Sequence, residues 1–440
     1  MSNLEIGIWS FPVLLVLIFL RIPIGLSMLI VGIAGNALIR GSFNPTLAQL
    51  KDLSYSTFSN YSLSIIPLFL LMGQFAALGG MSQALFKAAE TWLGHRKGGV
   101  AMAAVGACAG FGAICGSSLA TAATMGQVAL PELKRYGYSG SLATGALAAG
   151  GTLGILIPPS VILVIYAILT EQNIAKLFMA AFIPGILAAI SYMIAIAIFV
   201  RLKPDSAGTR ERAPNRMRFT ALVSVWPVLL VFFAVVGGIY FGWFTPTEAA
   251  AVGAVGTGII ALATGGLNRY NFVQAILSTA SATAMIFLIV FGANLFNSFL
   301  ALSQLPQEAA TFVSSQGFNP WVILGVILFL YLIFGCVMDS LSMILLTVPI
   351  FFPIIIGLDF GLSPVETGLW FGILVLIVVE VGLITPPVGL NLFIINKMAR
   401  DTPMMETYKG VLPFVISDIV RVIILAAFPA ITLLLVRLTY

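Results

Sequence analysis

Long apolar runs joined by short polar connections constrain this chain more than any other feature of its sequence. A helix that crosses a bilayer needs about 20 mostly apolar residues, and 440 residues leave room for roughly a dozen such segments. Only 8% of the residues are charged, against about 25% in soluble domains. This composition excludes a soluble enzyme, a disordered protein and a disulfide scaffold. We therefore predict an all-α polytopic membrane protein that lies in the lipid bilayer.

Composition and motifs also exclude several kinds of function. The net charge of +5 comes from basic residues dispersed at segment ends, which topology explains without nucleic acid. Cys108, Cys115 and Cys336 match neither a disulfide framework nor a transition-metal pattern. The sequence has no P-loop and no HExxH motif, so we expect neither an enzyme nor a cofactor. The first 20 residues lack a basic start and a cleavage motif, and we expect a retained first helix.

A run of awkward length predicts a first re-entrant hairpin. Gly98 to Leu130 holds 33 residues between two basic flanks, too many for one span and too few for two. Basic residues favour the cytoplasmic side, so both ends should lie there. The predicted tip is Cys115 to Ser118, at about mid-depth.

A second long run, Pro320 to Ile356, predicts another hairpin. No Lys or Arg occurs between Arg269 and Lys397, so we place both ends of this run on the periplasmic side. Its predicted tip is Val337 to Ser340. The basic stretch from Arg201 to Arg218 is typical of a cytoplasmic linker between the two halves of the chain. With these placements, the two hairpins open to opposite sides of the membrane.

Each hairpin is followed by an interrupted helix with a Gly-x3-Pro-Pro break. The breaks run from Gly154 to Pro159 and from Gly382 to Pro387. Proline lacks an N–H and clashes with the carbonyl four residues earlier, so the carbonyls of Gly154, Ile155, Gly382 and Leu383 should be free. Further matches pair Gly112 with Gly335, Pro131 with Pro353 and Pro184 with Pro413. Matching halves with oppositely placed flanking charges are typical of inverted-repeat secondary transporters.

These features predict the organisation of the chain. It comprises first-repeat scaffold helices and an arm (1–97), first-repeat transport elements (98–200: hairpin 98–131, broken helix 139–170, helix 176–200), a cytoplasmic linker (201–218), second-repeat scaffold helices and an arm (219–303), and second-repeat transport elements (319–440: hairpin 320–356, broken helix 365–397, helix 409–439).

Two intramembrane acids are candidate site residues. Asp339 lies at the second tip, and an acid inside the membrane is a functional hypothesis by default; the alternative is a helix cap or a scaffold pair. Glu380 lies one turn from the second break, and its role stays open. The hydroxyls of Ser117, Ser118, Thr121 and Thr124 suit a hard cation or a polar substrate, although Thr121 and Thr124 could equally bond back to their own helix.

The segments Gly110 to Gly126, Gly154 to Leu187 and Val381 to Asn396 carry a family resemblance. They read GFGAICGSSLATAATMG, GILIPPSVILVIYAILTEQNIAKLFMAAFIPGIL and VGLITPPVGLNLFIIN. They resemble the large, DctM-like membrane subunit of tripartite ATP-independent periplasmic (TRAP) transporters, over essentially the whole chain. The resemblance implies a sodium-coupled elevator importer with two re-entrant hairpins and two discontinuous helices. It also implies a small four-helix membrane subunit on a separate chain, a periplasmic substrate-binding protein, a bacterial inner-membrane location and an organic-acid substrate: a C4-dicarboxylate, sialic acid, keto acid or sugar acid.

The resemblance also implies site residues. Sodium is the only metal expected, as the coupling ion. The first sodium site would comprise Gly112, Gly116, Ser117, Ser118, Gly151, Gly154 and Ile155. The second would comprise Gly335, Asp339, Ser340, Gly382, Leu383 and Thr385. Substrate would bind between the tips, at Ser117, Ser118, Thr121, Pro158, Ser160, Asp339, Ser340 and Pro386. The second tip does not copy the first, so the two ion sites need not share one chemistry.

Two further expectations concern mechanism and alternatives. Lys87 to Lys97 and Asn268 to Ser278 are predicted to be interfacial arm helices. The hairpins and broken helices are expected to slide against a scaffold built from the helices before each hairpin. A self-sufficient carboxylate carrier that needs no binding protein would share the repeats and breaks. A channel or an intramembrane enzyme is disfavoured by the paired breaks and by the lack of a nucleophile with its base.

Overall fold

The computed structural model describes residues 1–439, except for the side chain at position 314, and its regular elements there are helices. Seven helices are long and apolar enough to cross a bilayer, and one bent pair of helices is an eighth candidate. The prediction of a polytopic helical membrane protein is confirmed. The candidates are fewer than a dozen because several apolar runs form shorter helices that meet at breaks.

The chain up to the linker forms ten helices. They are α1 (Asn3–Phe19), α2 (Ile24–Arg40), α3 (Asn44–Phe58), α4 (Ile65–Leu78), α5 (Met81–Leu93), α6 (Gly99–Cys115), α7 (Ser118–Arg135), α8 (Gly140–Leu156), α9 (Val161–Leu169) and α10 (Ile174–Leu202). A 3₁₀ turn, Tyr61–Ser64, joins α3 to α4.

From Asn215, near the end of the linker, to Thr439 the chain forms twelve helices. They are α11 (Asn215–Val223), α12 (Trp226–Phe232), α13 (Gly238–Tyr240), α14 (Pro246–Ala263), α15 (Arg269–Ser303), α16 (Leu305–Ser315), α17 (Pro320–Gly335), α18 (Ser340–Ile356), α19 (Pro364–Gly382), α20 (Leu390–Met398), α21 (Met404–Ala427) and α22 (Pro429–Thr439). A π-helical turn, Phe233–Gly237, separates α12 from α13.

The two hairpins turn where the sequence places their tips. Helices α6 and α7 meet at Gly116, which has a left-handed φ of 65°, and helices α17 and α18 meet over residues 336–339. Three boundaries differ from the prediction. Helix α7 continues through Pro131 to Arg135. The predicted helix 409–439 begins at Met404 and consists of two helices that meet at Phe428.

The second arm lies elsewhere than predicted. Residues 268–278 begin α15, a single helix of 35 residues that is about 52 Å long at 1.5 Å per residue. No proline interrupts this segment, so nothing separates it from the span. The element that precedes the second hairpin, as α5 precedes the first, is α16; the left-handed Gln304 ends α15 before it.

The bases of the two hairpins lie at opposite ends of the molecule. At the base of the first, the Lys134 ammonium is 2.7 Å from a carboxylate oxygen of Asp401, which follows α20. At the base of the second, the Trp321 ring centroid is 6.1 Å from that of Trp370, near the start of α19. Because α19 and α20 run from one base to the other, the hairpins enter from opposite ends and their tips meet between them.

The two broken helices run antiparallel through the core. Residues Leu142 to Leu156 of α8 and Thr367 to Gly382 of α19 are continuously buried. The Tyr166 hydroxyl near the end of α9 donates to the Gly368 carbonyl near the start of α19 (2.7 Å). The hairpins, broken helices, α10, α21 and α22 form what we call the central unit.

Small residues allow the remaining long helices to pack closely. A methyl group on Gly25 of α2 would lie 2.9 Å from Ile289 Cα, and one on Gly32 would lie 3.0 Å from Phe296 N. Glycine therefore lets α2 run directly along α15. Helices α1–α4 and α11–α15 form what we call the flanking unit.

The linker packs against α5 at the end where the first hairpin has its base. The Arg210 guanidinium is 2.9 Å from the Glu90 carboxylate, and the Arg218 guanidinium lies 4.5 Å from the centroid of the Trp92 ring. We call this end of the molecule the linker end. Its basic residues match the pattern of a cytoplasmic face.

Candidate functional site

A central cavity of about 140 Å³ lies between the two hairpin tips. Seven predicted site residues from four separate segments line it together: Gly116, Ser117, Ser118, Ile155, Asp339, Ser340 and Leu383. The rest of the wall is apolar and includes Leu70, Leu119, Val161, Ile162, Met285, Ile286 and Leu341. A mostly apolar pocket with a few convergent polar groups is the usual form of a small-molecule site.

Two helices begin at this cavity with capping side chains. The Ala120 N–H donates to Ser117 Oγ at the start of α7 (3.4 Å), and the Ser342 N–H donates to an Asp339 carboxylate oxygen at the start of α18 (3.1 Å). Helix N-termini carry partial positive charge and bind anions. Asp339 is thus a helix cap, which was the predicted alternative, and it also lines the cavity.

Glu380 joins the second tip to the second broken helix. The Ser340 hydroxyl donates to Glu380 Oε1 (2.9 Å), and the Ser118 side chain of the first tip faces the same carboxylate. Glu380 is only 1% exposed, and its Oε2 atom has no hydrogen-bond partner among the described residues. A buried carboxylate oxygen without a partner is costly and needs a cation or a donor.

The first tip packs directly on the first break. A methyl group on Gly112 would lie 2.5 Å from Gly154 Cα, and one on Gly154 would lie 2.7 Å from the Ser117 carbonyl oxygen and against the Thr121 hydroxyl. Among the described residues, no backbone N–H donates to the carbonyls of Gly154 and Ile155. The predicted release of these two carbonyls is therefore present, next to the tip.

The second break differs from this pattern and corrects one expectation. A methyl group on Gly335 would lie 3.2 Å from Gly382 Cα, so the close approach of tip and break is repeated. However, the Gly382 carbonyl accepts from the Thr385 N–H, and the Leu383 carbonyl accepts from the Asn391 N–H, both at 3.1 Å. The prediction that these two carbonyls are free is wrong because the chain turns after Gly382 and returns its own donors to them.

The other predicted residues do not line the central cavity. Gly151 packs against Ala122 of α7. Ser160 caps α9 by accepting from the Leu163 N–H (3.5 Å), while Pro158 and Ser160 are both buried. The Thr385 hydroxyl donates to the Val381 carbonyl (2.6 Å), and Pro386 is exposed.

A buried charged network escaped the sequence reasoning. An Arg421 nitrogen lies 2.7 Å from an Asp418 carboxylate oxygen, and both side chains are buried in α21. The Tyr192 hydroxyl of α10 donates to the same carboxylate (2.8 Å) and lies 3.1 Å from the Thr152 hydroxyl of α8. The sequence does contain a pattern that indicates such a pair, because Asp418 and Arg421 lie one helical turn apart within an apolar run.

The chain is similar to several known proteins. The family described as tripartite ATP-independent periplasmic transporter, DctM component, matches residues 11–431. The C4-dicarboxylate TRAP transporter large permease protein DctM of Pseudomonas aeruginosa is 38% identical over 395 residues, which cover 89% of this chain and 90% of that protein. The sialic acid TRAP transporter large permease protein SiaM of Vibrio cholerae is 32% identical over 425 residues, 96% of each chain.

A solved structure shares the fold. The crystal structure of the YdaH transporter of Alcanivorax borkumensis matches with a TM-score of 0.60, over 86% of this chain and 88% of that chain, at 14% sequence identity. At that identity the likeness concerns the fold alone.

Proposed function

The chain belongs to the family of DctM components of tripartite ATP-independent periplasmic transporters, and from this premise we propose that it imports an organic acid coupled to Na⁺. The substrate would be of the C4-dicarboxylate, sialic acid, keto acid or sugar acid class. Relatives named for C4-dicarboxylate and for sialic acid support this range.

The central cavity is the observation that carries the proposal. It lies where two hairpins from opposite ends meet, and two helix N-termini, capped by Ser117 and Asp339, adjoin it. Peptide N–H groups and hydroxyls suit a carboxylate, because they donate hydrogen bonds without the strong hold of a buried cation. Ser117, Ser118 and Ser340 would bind the substrate here.

Oxygen atoms next to this cavity would bind Na⁺. The free carbonyls of Gly154 and Ile155 lie beside the first tip, and hard cations prefer such oxygen ligands. At the second tip, Glu380 and Ser340 offer side-chain oxygens instead. One positive charge that crosses 100 mV releases about 2.3 kcal/mol, so two coupled cations would drive strong accumulation.

The interface between the two units supports an elevator mechanism. Leu70, Met285 and Ile286 of the flanking unit face the central cavity with apolar side chains only. An apolar wall makes no directional bonds that would hold the central unit at one height, and it seals the cavity from water on that side. We propose that the central unit slides along this wall to carry the cavity between the two membrane faces.

Family membership supports the proposed partners and location. The protein would work in the bacterial inner membrane with a small four-helix subunit and a periplasmic substrate-binding protein. The basic linker end would face the cytoplasm, so the base of the second hairpin would face the periplasm and the binding protein.

Reconstitution tests the proposal. The tagged chain, co-expressed with its chromosomal neighbours, is purified and placed in proteoliposomes, and uptake of labelled succinate, N-acetylneuraminate, pyruvate and gluconate is followed. We expect accumulation of one class that needs both an inward Na⁺ gradient and the cognate binding protein. A K⁺ gradient of equal size is the control.

Two outcomes would contradict the proposal. Accumulation without any binding protein would favour the self-sufficient carrier. Uptake of none of the four acids under an imposed Na⁺ gradient would remove the organic-acid assignment.

A further inference from the structure

A second cavity, of about 180 Å³, lies between the flanking and central units. We call it the outer cavity, and its lining comprises Ser56, Thr57, Asn60, Leu63, Ile165, Ile168, Leu169, Val290, Asn294 and Leu345. It shares no lining residue with the central cavity.

The outer cavity is stacked on the central cavity along the same helices. In each of α9, α15 and α18, a residue that lines the central cavity is followed one helical turn later by one that lines the outer cavity; the pairs are Ile162 and Ile165, Ile286 and Val290, and Leu341 and Leu345. One turn of α-helix rises about 5.4 Å. The two cavities are therefore offset by about one helical turn along these helices.

The direction from the central cavity to the outer cavity leads away from the linker end. Helix α4 runs toward α5 and the linker, and the outer cavity lies before its start, at Leu63, whereas the central cavity lies at Leu70. Under the proposed topology, the outer cavity lies on the periplasmic side of the central cavity.

One wall of the outer cavity is polar, unlike the wall that the flanking unit presents to the central cavity. Its polar side chains are Ser56, Thr57 and Asn60, near the break between α3 and α4, and Asn294 of α15. The Asn294 amide nitrogen donates to the Thr57 hydroxyl (3.4 Å). The Asn60 amide oxygen accepts a hydrogen bond from the Ser62 N–H (2.9 Å). The NH₂ group of the Asn60 amide is therefore the part of this side chain that can donate a hydrogen bond to a ligand.

This lining has the chemistry of a site that a carboxylate visits briefly. The amide and hydroxyl groups donate hydrogen bonds, and no charged residue lines the cavity. Binding along a transport route must be strong enough for entry yet weak enough for release, and a neutral set of donors meets both needs.

We propose that the outer cavity is a second binding subsite, at which the organic acid is held by the amides of Asn60 and Asn294 on its way to the central cavity. This inference rests on the proposed function. It assigns substrate contact to the flanking unit, whereas the central site is built mainly from the hairpins and broken helices.

Uptake kinetics with matched variants test the subsite. Asn294→Leu and Asn60→Leu are compared with Asn297→Leu, which lies one turn further along α15 and lines neither cavity. Loss of one neutral hydrogen bond predicts a KM for the transported acid that rises about 3- to 10-fold in each of the first two variants. We expect the kcat and the Na⁺ concentration for half-maximal uptake to stay unchanged, because the central site is untouched.

Thiol labelling provides a second measurement that does not depend on the Asn294 contact. The native cysteines are free and buried, so Ser56→Cys, near the end of α3, introduces an accessible thiol into the outer cavity. Ser59→Cys, just after α3, places a thiol that does not line the cavity. We expect a membrane-impermeant thiol reagent to block uptake by Ser56→Cys only, and the transported acid to slow that labelling.

The outcomes separate this inference from the proposed function. Normal wild-type uptake, with an unchanged KM in both leucine variants and full uptake after labelling of Ser56→Cys, would overturn the subsite and leave the transporter assignment intact. A wild-type protein that accumulates none of the four acids would overturn both.

Discussion

The contact between Gly112 and Gly154 gives the sharpest prediction. A methyl group on Gly112 would lie 2.5 Å from Gly154 Cα and 3.0 Å from Gly154 N. Both atoms belong to the backbone and cannot rotate away, so in Gly112→Ala the helices α6 and α8 must separate by about 1 Å to restore ordinary carbon contacts of about 3.5 Å. Overpacking of this kind costs about 1–3 kcal/mol.

The separation of α6 and α8 in Gly112→Ala would disturb the proposed first sodium site. The free carbonyls of Gly154 and Ile155 would bind Na⁺ only while the first tip rests on the break. If ion binding must restore the native contact, a cost of about 1–3 kcal/mol lowers Na⁺ affinity roughly 5- to 150-fold, since about 1.4 kcal/mol corresponds to a factor of ten. The fold itself should persist, because the change adds one methyl group in a long helix.

Thermal unfolding of the purified protein against Na⁺ concentration measures this effect without a substrate. NaCl is exchanged for choline chloride at constant ionic strength, and a ligand that binds only the native state raises the unfolding midpoint. We expect one component of the Na⁺ response, that of the first site, to shift to at least fivefold higher concentration in Gly112→Ala. The matched control is Gly325→Ala in α17, where an added methyl group meets no atom within 4 Å. A Gly112→Ala protein with the wild-type Na⁺ response would refute the reasoning.

Three further predictions concern charged groups. Glu380→Gln keeps an acceptor for the Ser340 hydroxyl but removes the charge, so Na⁺-driven uptake should fall more than tenfold while the unfolding midpoint in choline chloride stays near that of wild type. Asp418→Leu leaves Arg421 buried without its partner and should cost about 3–5 kcal/mol in unfolding free energy, whereas the double change Asp418→Leu, Arg421→Met should recover most of it. The Lys134 ammonium lowers the pKa of Asp401. The ion pair stabilises the fold above the ordinary pKa of Asp and loses this effect as the pH falls through the lowered pKa. Asp401→Asn should therefore leave uptake at pH 7 unchanged, and its stability should differ least from that of wild type in acid.

The placement of hairpins and breaks could be read from local sequence because local chemistry decides it. A left-handed turn favours glycine, and Gly116 supplies it at the first tip. A helix that restarts after a turn is stabilised by a capping acceptor, and Ser117, Ser160 and Asp339 supply one at three of the four restarts. Proline pairs end the hydrogen-bond ladder wherever they stand. Each signal lies within a few residues of its effect.

Hydrogen-bond partners that depend on the path of the chain could not be predicted in this way. The Leu383 carbonyl is satisfied by Asn391, eight residues later, because the chain after the second break folds back. The cavity wall formed by Leu70, Met285 and Ile286 carries no polar signal, and only the packing of two units shows that these residues face the tips. Residues 268–278 do not form the separate second arm that was expected, because they begin α15 and the backbone turn at Gln304 marks the boundary before α16.

The two breaks have diverged in chemistry although both pack a hairpin glycine on a helix glycine. At the first break no backbone N–H of the described residues donates to the carbonyls of Gly154 and Ile155, and the surrounding residues are buried, so neutral backbone oxygens would coordinate an ion there. At the second break the corresponding carbonyls are satisfied and the prolines are exposed. There, Glu380 Oε2 is a buried side-chain oxygen with no hydrogen-bond partner in the part of the chain that the structure describes.

This divergence makes the two proposed ion sites separable by experiment. An ion bound by backbone carbonyls depends on the spacing of helices, so Gly112→Ala should weaken it and Glu380→Gln should not. An ion bound by a carboxylate depends on charge, so Glu380→Gln should weaken ion binding at the second site and Gly112→Ala should not. If both ions are needed for each substrate, the Na⁺ dependence of uptake should be sigmoidal in the wild type, and each variant should retain one tight component in Na⁺-dependent unfolding. A variant that abolished both components would show that the two sites form only together.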